Sequence, residues 1–166
     1  MDDVVDLAAV IRALEPFVGR WRGRGAGRFP TIGPFEYSEE LSIEMEDFYP
    51  RLTYEQKTVL HDGTPSHVEM GFFRPMEDGT IELNNVQDNG RVEVLRGRVT
   101  GSPSSGDVSL ELNSTALCND PRLIETRRRF SIVDGRFEYE VQMSTTTTAA
   151  PQLLRHLGAR FERRTE

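Results

Sequence analysis

Apolar positions along this chain keep two different periods. Val4, Val5, Leu7, Ala8, Val10, Ile11 and Leu14 fall on one side of a helix, with Asp2 or Asp3 available as N-cap and Pro16 as its stop. Beyond Trp21 the period drops to two. Phe35, Tyr37, Leu41, Ile43 and Met45 alternate with Glu36, Ser38, Glu40, Ser42 and Glu44, the pattern of a strand with one wet face. The same alternation predicts strands over 51–60, 67–74, 81–87, 91–99, 108–116, 124–133, 136–143 and 156–163.

Turn signals separate these strands. Asp62-Gly63, Asp78-Gly79, Asn89-Gly90 and Asp134-Gly135 supply the positive φ angles of tight hairpins, and GSPSSG at 101–106 is the most flexible loop. Neighbours in sequence should therefore pair as an antiparallel meander, and a meander this long leaves two open edges unless it closes. The expected fold class is all-β, an up-and-down antiparallel β-barrel of about ten strands with a short N-terminal helix. One domain should span 1–166, with the helix over 1–14 and the barrel over 17–163. A barrel of that size encloses more space than its side chains fill, which predicts an apolar cavity.

Composition narrows the partners. With 37% hydrophobic and 28% charged residues the 166-residue chain reads as an ordinary globular domain. A net charge of -7 argues against nucleic acid and anionic membrane, both of which need a dominant basic surface. The cluster Arg127, Arg128 and Arg129 reads as a solvated strand face, and Glu39, Glu40, Glu44 and Glu46 read as exposed strand and turn carboxylates. Cys118, the only cysteine, permits no internal disulfide and suits a reducing compartment, so the expected location is cytoplasmic. No catalytic set built on Cys118 or on the glutamates is evident.

Glycines crowd around Trp21, the only tryptophan, in GRWRGRGAGRFPTI at 19–32, as in a strand that passes close to neighbouring chain and then turns. Gly19, Trp21, Gly23 and Gly25 form a Gly-x-Trp-x-Gly-x-Gly signature that resembles the nitrobindin family of haem-binding β-barrels, and Phe-Pro-Thr-Ile at 29–32 is similar to that family's next block. TPSHVEMGFFRP at 64–75 resembles its Pro-x-His-x-Glu-x-Gly-aromatic block, with Gly71 making room. FEYSEEL at 35–41 resembles its aromatic strand. HLGARFERR at 156–164 resembles the closing block whose histidine is the proximal ligand of haem iron. The resemblance runs from about Leu14 to Arg163.

This resemblance implies a ferric haem b cofactor, iron held by His156, isomerisation of peroxynitrite to nitrate and reversible binding of nitric oxide. The alternative is a non-enzymatic carrier or sensor of nitric oxide, haem or a fatty-acid-like ligand. The expected partners are small molecules, haem, nitric oxide and peroxynitrite, and the chain is expected to be a monomer or homodimer. By the same resemblance Thr31, His67, Gln87 and Met143 line the cofactor pocket with His156. Three of them have a plainer reading: Thr31 caps the turn after Pro30, His67 hydrogen-bonds Glu69, and Met143 belongs to the core. Trp21 reads as structural, closing the barrel base under Arg160 or Arg163. The interval from Met143 to His156 is a few residues longer than is usual in the family, and Leu153, Leu154 and Leu157 are placed for a helical turn within it.

Overall fold

A computed structural model of the chain describes residues 5–165. It is a closed ten-stranded antiparallel barrel in which every strand pairs with its sequence neighbours and the last pairs with the first. The strands are β1 Gly19–Phe29, β2 Ile32–Met45, β3 Leu52–Leu60, β4 Pro65–Pro75, β5 Ile81–Gln87, β6 Val92–Ser102, β7 Asp107–Cys118, β8 Leu123–Val133, β9 Arg136–Thr145 and β10 Leu154–Arg163. The meander is as expected, because the turns carry the required backbone. Asp134 and Gly135 both have positive φ, 51° and 71°, as a two-residue hairpin demands.

The helix is shorter than its apolar pattern. α1 covers Leu7–Arg12 and is capped by Asp6, whose carboxylate accepts from Ala8 N and Ala9 N. Asp2 and Asp3 lie outside the described residues. A 3-10 turn, Glu15–Phe17, then carries Phe17 into the barrel base, where its ring lies 5.2 Å from Phe137 and 6.5 Å from Phe130.

Trp21 completes that base. Its ring meets Phe137 edge-on at 4.9 Å, its Nε1 donates to Phe17 O at 2.8 Å, and the Arg163 guanidinium lies 4.2 Å over the indole. Arg163, and not Arg160, closes the stack. It also donates to the carbonyls of Val18 and Pro16, which fixes the chain leading into β1. β1 runs close to both neighbours, and a Cβ on Gly25 would collide with the Tyr37 ring. Gly71 makes room in the same sense, for the Asn84 carbonyl of β5, so its space is taken by backbone.

Above this aromatic floor the barrel is polar, contrary to the apolar interior expected. Arg128, Glu39, Gln56, Glu69, Asn85, Gln87, Glu93 and Thr126 are all buried. The reading of Arg128 as solvated and of Glu39 as exposed is thereby corrected. Alternation explains both: Arg128 shares its face of β8 with Thr126, Phe130 and Ile132, and Glu39 shares its face of β2 with Tyr37 and Leu41, all inward-facing.

Candidate functional site

Two sites occupy the upper half of the barrel. The first is a charged cluster centred on Arg128. Its Nη1 and Nη2 donate to the Glu69 carboxylate at 2.5 and 2.9 Å, and its Nε donates to Glu93 Oε2 at 3.0 Å. Tyr54 OH and Asn85 Nδ2 add donors to Glu69 at 2.6 and 2.9 Å, while Gln87 Nε2 donates to Glu93 Oε1 at 3.2 Å. Burial would raise the Glu69 carboxyl, but the Arg128 charge and the bonds from His67 and Arg128 outweigh it and hold that carboxyl well below its usual range.

His67 belongs to this cluster. Its Nε2 lies 3.6 Å from Glu69 Oε2 and its Nδ1 lies 3.0 Å from Asp88 Oδ1. Desolvation works against its protonation, yet Glu69 and Asp88 together push its pKa up. Glu39 differs from the other carboxylates. Both of its oxygens are buried without a hydrogen-bond partner, and its pKa is pushed well above the usual range by burial first and by the Glu69 charge second.

The second site is a cleft of about 230 Å³ at the end of the barrel opposite Trp21. Phe29, Pro30, Thr31 and Ile32 from the β1–β2 hairpin form one side, and Met143, Thr145, Thr147 and His156 form the other, with Arg91, Asp120 and Arg122 at the corner. Thr31, Met143 and His156 therefore come together as expected, whereas His67 and Gln87 are not among the cleft walls and serve the charged cluster. The Pro30-Thr31 turn joins two paired strands, Phe29 opposite Ile32, and this holds Thr31 at the mouth.

Strict alternation would turn His156 outward, since Ala159 and Phe161 point in. A β-bulge between Arg155 and Leu157 makes His156 an extra residue against β9 and turns it inward instead. The segment before it is extended, with Leu154 paired to Met143, so the expected helical turn is absent there. The imidazole packs 5.2 Å from the Phe29 ring. Desolvation lowers its pKa, so the ring is neutral at neutral pH, and its Nδ1 is buried without a hydrogen-bond partner.

Among the described residues no three His, Cys, Asp or Glu side chains are grouped to hold a bare metal ion. A single neutral imidazole holds iron well only where the remaining ligands come from a porphyrin, and an apolar cleft beside it suits that macrocycle. The orphaned ring nitrogen of His156 fits such a group.

A closed barrel that opens on a cleft with a neutral imidazole in its wall has the form of a ligand-binding β-barrel. The model of the THAP4-like, heme-binding beta-barrel domain matches residues 10–163. The chain belongs to that family. It is 40% identical to a peroxynitrite isomerase of Arabidopsis thaliana over 138 residues, 82% of this chain and 80% of the relative. It is 37% identical to peroxynitrite isomerase 2 of Mycobacterium ulcerans over 163 residues, 96% and 98% of the two chains. The crystal structure of Rv2717c from M. tuberculosis superposes with a TM-score of 0.84 at 33% identity, covering 96% of this chain and all of that one.

Proposed function

We propose that this chain is a haem b protein that isomerises peroxynitrite to nitrate, with His156 as the iron ligand. The observation that carries the reading is the buried, neutral imidazole of His156, whose Nδ1 has no hydrogen-bond partner, in the wall of an apolar cleft in a chain of the haem-binding barrel family. Relatives that match most of their own length carry the name peroxynitrite isomerase, which supports the reaction.

When bound, the haem supplies the Lewis-acid and redox chemistry that rearranges the anion. The protein's part is positional. The bulge presents the imidazole inward, and desolvation keeps its ring neutral and free to bind metal. Phe29, Pro30, Ile32 and Met143 would give a bound macrocycle apolar contact, and Thr31 offers a hydroxyl at the mouth. A ferric resting state with reversible nitric oxide binding is part of the same proposal. The cytoplasm is the compartment that suits its single free thiol, Cys118.

Titration of the purified chain with haem, followed by the Soret band and by the decay of added peroxynitrite, tests this. Wild type should take up haem and accelerate the decay, and His156→Ala should lose most of the band. An unchanged spectrum in His156→Ala would remove His156 as ligand, and uptake without accelerated decay would leave a carrier or sensor.

A further inference from the structure

Apart from the imidazole, the ionisable walls of the cleft are Arg91, Asp120 and Arg122. Asp120 stands between the two guanidiniums, with Arg91 Nη2 at 2.6 Å from Oδ2 and Arg122 Nε at 3.4 Å from Oδ1. Burial would raise the Asp120 carboxyl, but its bonds from Arg91 and Arg122 hold it below its usual range, so it is ionised. Arg91 and Arg122 thus flank a single carboxylate at this corner, in a chain of net charge -7.

Arg91 Nη1 lies 3.9 Å from Glu93, which shares Arg128 with Glu69, so Arg91 offsets part of that cluster's charge. The exposed Arg122 is the guanidinium freer to meet an incoming carboxylate. Arg91 Nη1 also lies 3.7 Å from Met143 Sδ, which places the guanidinium on the same wall as the apolar part of the cleft, and Arg91 Nε is buried without a partner. The Arg122 side chain is 69% exposed, so it can turn toward a ligand without leaving a buried group unpaired.

We propose that Arg91 and Arg122 form a carboxylate subsite that takes a propionate of haem. The inference rests on the haem reading above. Haem b is an apolar disc with two carboxylates on one edge, and this cleft pairs an apolar wall with two guanidiniums at one corner. Guanidinium and carboxylate match in shape and charge, and such bonds are about twice as strong as neutral ones.

Soret titration of the full chain with haemin and with haemin dimethyl ester, which lacks the carboxylates, tests it. Wild type should bind haemin about tenfold more tightly than the ester. Arg91→Gln and Arg122→Gln should weaken haemin binding severalfold and leave ester binding unchanged. Arg122 is exposed, so its variant carries the test if Arg91→Gln folds poorly. Equal affinity of wild type for the two compounds, or equal weakening of both in the variants, would overturn the subsite while leaving the haem reading intact. A Soret band with neither compound would overturn the haem reading and the subsite with it.

Discussion

Arg128 on β8 reaches across the barrel to Glu69 on β4 and bonds both of its carboxylate oxygens. Neither residue is in contact with bulk water, so each depends on the other for its charge. Arg128→Met should therefore leave Glu69 and Glu93 as uncompensated buried carboxylates and cost about 3 to 5 kcal/mol. Combining it with Glu69→Gln and Glu93→Gln should recover a large part of that loss. Urea unfolding of the single and triple variants at neutral pH measures both effects, and a single variant as stable as wild type would contradict a charged cluster.

Glu39 gives a pH dependence of definite sign. Its folded pKa lies well above 4.5, so the folded chain holds this proton more tightly than the unfolded one. Stability from this group is full below pH 4.5 and falls as pH rises toward the folded pKa. Glu39→Gln, which resembles the protonated acid, should match wild type near pH 4.5 and exceed it at pH 8 by about 1 to 3 kcal/mol. Thermal melts of the two proteins across that range decide it. Parallel curves would mean that the carboxylate finds partners on ionising.

His67 should act in the same direction over a higher window. Glu69 and Asp88 raise its folded pKa above 6.5, so its contribution is complete below that value and is lost as pH rises through the folded pKa. The side chain is a quarter exposed, which limits the effect to under about 1 kcal/mol. His67→Asn should lower the urea midpoint more at pH 6 than at pH 9.

Trp21 should be structural. Trp21→Ala removes a buried indole that packs on Phe137 and lies under Arg163, and the expected cost is about 3 to 5 kcal/mol. Trp21→Phe keeps much of the packing but leaves the Phe17 carbonyl without its donor, at about 1 kcal/mol. Melting of the cofactor-free proteins should rank them in that order.

The strand count, the hairpins and the Trp21 base were legible because they follow from alternation and from Gly at turn positions, which are local properties. The polar interior was legible in principle. The parity that puts Tyr37 and Leu41 inside also puts Glu39 inside, and the parity of Phe130 does the same for Arg128. The expectation that charges face water overrode that signal, since a lone buried charge is prohibitive. Only the structure shows that Glu69, Glu93 and Arg128 come from three strands far apart in sequence and compensate one another. The inward turn of His156 was not legible from alternation at all, because a bulge adds one residue to one strand and reverses the parity before it.

The cleft lies on the seam where the first strand meets the last. Phe29 and Thr31 belong to one end of the chain and His156 to the other, and they become neighbours only when β1 pairs with β10. Pairings so distant in sequence form slowly and late. During synthesis β1 must wait, with one edge open, until some 130 further residues have been added. A nascent chain released before β10 emerges is an open sheet without a pocket, so any ligand taken up in the cleft reports that the whole barrel has been made.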